Sequence, residues 1–334
     1  MTPEPADLRM TLHRAADVLR GAGTVVVAGH VNPDGDALGS VFALTAALRH
    51  LGVKAVPSWG SRDADEPPPV LEPALGFLPC AEDARAPDDL PAAPDVVVAC
   101  DTAAASRLGT LAPLAEAAST VIVIDHHAVG DGFGDIRLVD EYASCTGVLV
   151  LALIDALDVP LGAAMADALY LALLTATGRF AFASTTPTDH RVAARLLEAG
   201  ADHVAVTRAV YESASRGYLA LVARVADRAV VADDLVVSWV TRTDLVQTGT
   251  GEEETDGLID LLRKVEGIDV TCLLRETPQG TWRTSLRSRG ACDVAAVAAG
   301  LGGGGHRMAA GFTGRGTVES VLADIRVRLA EAGG

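Results

Sequence analysis

No stretch of this chain is apolar for long. The longest runs, such as Val148–Ile154, fall far short of the roughly 20 residues that a membrane-spanning helix needs. The N-terminus lacks the basic segment and apolar stretch of a secretory leader. Cysteine is sparse: Cys80, Cys100, Cys145, Cys272 and Cys292 make an odd number, and none stands in a C-x-x-C pair. That argues against a disulfide framework, and the expectation is reduced thiols in a cytoplasmic protein with no membrane partner. Cationic residues are also few. Lys+Arg total 27 against 44 for Asp+Glu, a net charge of −17. Long nucleic acid is gripped by neutralising phosphates with Lys and Arg, so this balance argues against it. A small phosphorylated ligand held by metals and a few arginines stays compatible. Aromatics are 4% of residues. Tyr142, Phe180, Phe182 and Trp282 are the candidates to stack on a base, but most are better explained as core and none is assigned a role.

What is present describes an ordinary globular protein. The 334 residues are 49% hydrophobic and 21% charged, enough for two domains with a core each. Val121–Ile124 closes a short run of β-branched residues that reads as a buried strand and ends in Asp125-His126-His127. The tripeptide alone leaves two readings open: a metal site, or a helix capped by Asp125 with two surface histidines. Upstream, the strand-like Thr24–Gly29 ends in His30-Val31-Asn32-Pro33-Asp34-Gly35-Asp36, and the apolar stretch 95–100 ends at Asp101. A further strand is expected at Lys54–Trp59, and helices at 6–20, 37–50, 144–157, 162–177 and from Thr186 to near Gly200.

Strands alternating with helices imply an α/β fold, a doubly wound and mainly parallel sheet. Ligands bind outside the carboxyl ends of strands in such sheets, so three strand ends carrying Asp and His would meet in one crevice. From Arg228 the pattern becomes a smaller α+β domain, with hairpins around Asp233-Asp234 and Thr277–Gly280, a helix at 252–265 and a short one at 293–299. The expected organisation is a catalytic domain over 1–200, a helical connector over 201–227 and a substrate-binding domain over 228–334, with the active cleft between the domains.

His30, Asp34 and Asp36 share one tight loop. Imidazole nitrogen with several carboxylates suits Mn²⁺ better than an all-oxygen Mg²⁺ or a thiolate Zn²⁺ site. With Asp101 and His126 there are five candidate ligands, about right for two ions, the usual device for phosphoester hydrolysis.

These residues resemble a known family. His30-x-x-Pro33-Asp34-Gly35-Asp36, then Asp101, then Asp125-His126-His127 are similar to the first three motifs of the DHH phosphoesterases. Gly302–His306 followed by Ala309-Ala310-Gly311 resembles the glycine-rich signature of the family's associated C-terminal domain, and Arg287-Ser288 the basic element before it. The match runs in order over nearly the whole chain, nearest to the nano-RNase and adenosine bisphosphate phosphatase branch.

The resemblance implies a first metal on His30, Asp34 and the bridging Asp101, and a second on Asp36, Asp101 and His126. It implies Asp125 as a supporting carboxylate and His127 facing the scissile phosphate. It further implies a homodimer that hydrolyses short nucleotides: nano-RNA, linear dinucleotides, cyclic di-AMP and 3′-phosphoadenosine 5′-phosphate. Arg287, Ser288, Gly304, Gly305 and His306 would clamp the substrate, with the glycine run forming a backbone nest for phosphate. Arg179 is a weaker candidate for similar work.

One motif departs. Thr175-Ala176-Thr177-Gly178-Arg179-Phe180 keeps the surroundings of the family's fourth motif but has Ala176 where the family places an Asp ligand to the second metal. A methyl group cannot coordinate a cation, so an impaired second site is expected. A deliberate Asp-to-Ala change and a natural, less active sequence both account for it, and the intact surroundings favour the first. Alternatives are an inorganic pyrophosphatase, opposed by the glycine-rich C-terminal domain; a RecJ-like exonuclease, opposed by length and acidity; and a catalytically weak nucleotide receptor, for which Ala176 is the argument.

Overall fold

The computed structural model describes residues 6–62, 70–127 and 130–332. They form two units, Met1–Ser213 and Ala214–Gly334, dividing within the stretch 201–227 read above as a connector.

The first unit carries β1 (Thr24–Gly29), β2 (Lys54–Trp59), β3 (Val96–Cys100), β4 (Thr120–Asp125) and β5 (Ile136–Val139) in one all-parallel sheet of order β2-β1-β3-β4-β5. Its helices are α1 (Ala6–Gly21), α2 (Gly35–His50), α3 (Ala112–Ala117), α4 (Thr146–Ala156), α5 (Ala163–Ala176), α6 (Pro187–Glu198) and α7 (His203–Tyr211). The central strands are apolar throughout because both faces are covered. Val25, Val27, Val98 and Ile124 pack with α1, α2, α4 and α5. Val26, Ala28, Val97 and Val123 turn the other way, onto Leu108, Leu111 and Ala115.

Gly39 lets α2 and α5 approach closely: a Cβ there would lie 2.2 Å from the Ala168 carbonyl oxygen. The strand order reverses between β1 and β3, and an open α/β sheet leaves its crevice at such a point. β5 is a strand that the sequence pattern did not reveal. It is four residues long, too short for its alternation of Ile136 and Leu138 with the exposed Arg137 to stand out.

The second unit holds α8 (Tyr218–Asp227), β6 (Val230–Ala232), β7 (Leu235–Val240), α9 (Arg242–Thr248), α10 (Leu258–Leu262), β8 (Val270–Glu276), β9 (Trp282–Ser288), α11 (Val294–Ala299), β10 (Gly304–His306), β11 (Ala309–Gly314) and α12 (Val318–Ala332). Its mixed sheet runs β10-β11-β9-β8-β7-β6, with β7 and β8 parallel. One face packs Cys272, Leu274 and Leu286 with α11 and α12 residues such as Val297 and Ile325. The other packs Val236, Val240 and Leu273 with Leu221, Val225 and Leu258 of α8 and α10.

Two expectations are corrected here. The helix expected over 252–265 is a 3₁₀ turn, Glu253–Thr255, followed by the five-residue α10. Gly257 stands at the break, where helix propensity is poor. The glycine run is a strand rather than an open nest: Gly304, Gly305 and His306 pair with Gly311, Ala310 and Ala309. Glycine is required at Gly305, whose φ is +145° and where a Cβ would lie 2.5 Å from the Ala309 carbonyl oxygen.

Candidate metal centre

The loop after β1 brings His30 and Asp34 to the start of α2. Asp34 is the N-cap: its Oδ1 accepts from the N–H groups of Asp36 and Ala37 at 3.0 and 3.1 Å. The capping reading of this strand-end aspartate therefore holds, yet capping uses one oxygen and leaves the other. Asp101 follows β3 in the left-handed region, φ +61°, a conformation costing a non-glycine residue about 1–2 kcal/mol. Such strain concentrates at functional sites. Asp125 ends β4 and is fully buried.

The imidazoles have defined orientations. His30 Nδ1 lies 2.8 Å from the Val31 carbonyl oxygen, and His126 Nδ1 lies 3.2 Å from that of Ala143. A carbonyl only accepts, so each Nδ1 carries the proton, and in the neutral ring each Nε2 presents a lone pair. Both lone pairs face the same carboxylate: His30 Nε2 is 3.3 Å from Asp101 Oδ2, and His126 Nε2 is 3.5 Å from Asp101 Oδ1. His30 Nε2 is buried and has no hydrogen-bond partner. Lone pairs aimed at a buried carboxylate are the arrangement a cation resolves. Among the described residues, two groups satisfy the spacing for an ion: His30, Asp34 and Asp101, and Asp101, His126 and His127. Asp36 Oδ2 lies 3.7 Å from His126 Nε2. Asp36 therefore stands beside the second group.

Electrostatics agree with a cation-binding role. Burial pushes the Asp36 carboxyl well above its ordinary range, and the neighbouring Asp101 and Asp34 push it further. Burial acts on Asp101 in the same direction, but the imidazoles of His30, His127 and His126 outweigh it and hold that carboxyl low.

His127 differs from the other two. Its Nδ1 is 2.6 Å from Asp125 Oδ1, and this same nitrogen is its nearest approach to Asp101, at 3.9 Å. Burial would lower the ring's pKa, but the Asp125 hydrogen bond and charge raise it above the usual histidine range. Asp125 thus orients His127 and favours its protonated form.

The N-terminus of α4 completes the site. The sequence reading recognised this helix but assigned it no role there. The Thr146 and Gly147 N–H groups donate to Asp36 Oδ2 and Oδ1 at 2.8 and 3.0 Å, and Thr146 Oγ1 donates to Asp101 Oδ1 at 2.9 Å. Ala143, just upstream, is the carbonyl that orients His126. The missed signal was a threonine in the first turn of a helix whose next eight residues are apolar or glycine. Thr146→Val is expected to weaken Mn²⁺ binding about 10–100-fold, as loss of a supporting partner does, while Thr146→Ser retains it. A Mn²⁺ titration followed by electron paramagnetic resonance checks this, and unchanged affinity in the valine variant would show the hydroxyl idle.

The fourth-motif segment ends α5. Thr175 packs on Gly35, where a Cβ would lie 2.5 Å from its Oγ1. One turn before Ala176, Ala172 lies against Gly147, where a Cβ would be 2.6 Å from the Ala172 Cβ and 3.6 Å from Asp36 Oδ1. Gly178, Arg179 and Phe180 then take left-handed backbone conformations in succession. The Arg179 guanidinium lies 4.5 Å from the Tyr211 ring centroid.

The clamp residues lie in the second unit, and the structure separates them. Arg287 is half-buried on β9. Burial lowers its pKa, as do Arg263 and Arg275 nearby. Cross-strand pairing puts Arg275 opposite Arg283, on the Arg287 side of the sheet; the sequence reading had not singled it out. Ser288 is a correction. It is 2% exposed, on the opposite face from Arg287, and its hydroxyl donates to Asp269 Oδ2 at 2.9 Å. Successive strand residues alternate faces, so the pair cannot grip one ligand.

Comparison with known proteins agrees with this geometry. Residues 24–173 match the DHH family, N-terminal domain, and residues 233–331 match the DHHA1 domain. The bifunctional oligoribonuclease and PAP phosphatase NrnA of Thermus thermophilus is 36% identical over 325 residues, 95% of this chain and 94% of that one. This chain belongs to the DHH family. It is a DHH phosphoesterase, a hydrolase of the α/β class. The exopolyphosphatase-related protein of Bacteroides fragilis superposes with a TM-score of 0.88 at 24% identity, covering 97% of this chain and 96% of that one. Thermus thermophilus RecJ in complex with Mn²⁺ superposes at 0.54 and 17% identity, covering 99% of this chain and 55% of RecJ. These two likenesses concern the fold. Among the described residues, no helix is long and apolar enough to cross a membrane.

Proposed function

We infer that this DHH phosphoesterase hydrolyses short nucleotides, namely nano-RNA, linear dinucleotides and 3′-phosphoadenosine 5′-phosphate, with two divalent ions, Mn²⁺ favoured. The observation that carries the reading is the pair of Nε2 lone pairs aimed at the shared carboxylate of Asp101. The extended likeness to the Thermus NrnA supports the substrate class. His30, Asp34 and Asp101 would hold one ion, and Asp36, Asp101 and His126 the other. Bound there, the ions would acidify a water and neutralise charge on the phosphoryl group. The chain's own work is to orient and to move a proton. Asp125 fixes His127 Nδ1–H, so His127 Nε2 is the atom that carries a proton to the leaving oxygen. Arg287 would take phosphate oxygens.

A catalytically weak nucleotide receptor is the second reading, favoured by Ala176. One experiment addresses both. The chain and its Ala176→Asp variant are incubated with Mn²⁺ and short nucleotides, longer strands and pyrophosphate, and the products are resolved by chromatography. Cleavage of dinucleotides and of 3′-phosphoadenosine 5′-phosphate is expected. Cleavage of pyrophosphate alone would overturn the proposal, and binding without turnover by both forms would select the receptor.

A further inference from the structure

The turn that enters α4 is held from two sides. On one side, Ala143 orients His126, and Thr146 donates to Asp36 and Asp101. On the other, Ser144, between these two residues, donates its hydroxyl to Asp189 Oδ1 at 2.5 Å, 45 residues along the chain. Both side chains are buried: Ser144 is 4% exposed and Asp189 2%. Asp189 lies in the first turn of α6 and is the acid of a capping box with Thr186. The box uses one carboxylate oxygen. Oδ2 accepts from the Thr186 N–H at 2.6 Å and from its hydroxyl at 2.9 Å. The helix makes no such demand on Oδ1, which reaches Ser144 instead. A carboxylate buried this deeply is costly unless its oxygens find donors, and the Ser144 hydroxyl is the donor for Oδ1. The next residue, His190, stacks on Phe180 with ring centroids 4.9 Å apart and planes at 27°. Phe180 N–H donates to Thr177 Oγ1 at 3.1 Å. The start of α6 therefore meets both the segment that follows Ala176 and the turn that enters α4.

We propose that Asp189 is a positioning residue for the metal centre and acts through Ser144. The proposal rests on the two-ion reading of the site. Among the described residues, the hydrogen bonds of Asp189 go to Ser144 and Thr186 and to no candidate ligand. What it fixes is the backbone from Ala143 to Thr146. That stretch supplies the carbonyl oxygen that settles which His126 nitrogen carries the proton, the N–H that holds Asp36 Oδ2 and the hydroxyl that holds Asp101 Oδ1. All three serve the ligands assigned to the second ion. Glu141 and Tyr142, immediately upstream, are exposed, so Ser144 is the first side chain after the turn to be both buried and tethered. Without the tether, the Ala143 carbonyl and the Thr146 hydroxyl lose their fixed positions, and the His126 Nε2 lone pair loses its fixed aim. Such a role acts on metal affinity, through one contact more than Thr146 needs.

The test is a Mn²⁺ titration of the full chain and its variants followed by electron paramagnetic resonance, well below the melting temperature of each, with the melting temperatures recorded alongside. Ser144→Ala removes the tether and keeps the capping box. It should weaken Mn²⁺ binding roughly three- to tenfold, less than loss of a group that touches a ligand directly. Asp189→Ala should weaken binding to a similar degree, and the double variant no further, because residues that act through one shared contact are not additive. Thr186→Ala strips the cap side chain from the same helix. It should lower the melting temperature and leave Mn²⁺ affinity at the parent value, which separates positioning from a general loosening of α6. Ser144→Ala leaves the helix cap in place, so it decides the matter even where Asp189→Ala does not fold. Unchanged affinity in Ser144→Ala, an equal loss in Thr186→Ala, or a double variant that loses the product of the two single effects would each overturn the positioning role and leave the functional reading standing. A parent chain that binds no Mn²⁺ would overturn both.

Discussion

Ala176→Asp is expected to raise Mn²⁺-dependent turnover of a dinucleotide by more than about 100-fold, since even loss of a supporting partner costs 10–100-fold and a lost ligand should cost more. Ala176 closes α5 four residues after Ala172, hence on the same face. Ala172 lies against Gly147 beside Asp36, a candidate ligand of the second ion. A carboxylate at 176 would therefore extend from a helix end already packed next to that ligand. Gly39 and Gly35 let α2 approach α5 this closely, so the variant needs no rearrangement of the two helices. Steady-state rates with a dinucleotide, alongside a Mn²⁺ titration, check it. The variant should gain both a tighter second ion and a higher kcat; identical rates and identical Mn²⁺ affinities in the two forms would show that the position is not a ligand site.

His127→Asn should lower kcat by about 10²–10⁴, the usual contribution of a positioned general acid, measured in the Ala176→Asp background so that the fall is visible. The spacing of Asp101, His126 and His127 also allows His127 as a ligand, and the two roles differ in what they predict. The nitrogen nearest Asp101 is already bonded to Asp125, which favours the acid role. An acid leaves Mn²⁺ affinity nearly unchanged when removed; a ligand does not. Asp125→Asn should produce a smaller fall, because it removes the charge that holds and favours the protonated ring but keeps the ring itself. A Mn²⁺ affinity that collapses with kcat in His127→Asn would transfer His127 to the ligand set.

Much of this site was legible in the residue order. Apolar runs ending in His30, Asp101 and Asp125-His126-His127 announce strand ends, and the carboxyl ends of parallel strands share one edge of the sheet. The α/β class and the ligand candidates follow from that local pattern, because β-branched runs and abrupt polar stops are properties of a few neighbouring residues. The helix assigned to 252–265 and the glycine nest misread the same kind of signal. Gly257 broke the first by its own poor helix propensity, and Gly305 took its meaning from the Ala309–Ala310 backbone that pairs with it. Arg287 and Ser288, adjacent in the chain, were read as one clamp, although strand alternation places them on opposite faces.

Distance along the chain explains the remainder. Thr146 reaches Asp36 across 110 residues and Asp101 across 45, so the threonine in the first turn of α4 could be noticed in the sequence but its partners could not. The orientation of His30 and His126 depends on carbonyl groups whose positions exist only after folding. The same is true of Tyr142, grouped on the sequence with aromatics better explained as core and 84% exposed in the fold. Asp125-His126-His127 declares its chemistry in three letters. Which nitrogen of His126 faces a cation is settled by the Ala143 carbonyl, 17 residues on, whereas His127 is oriented by Asp125 within the tripeptide itself.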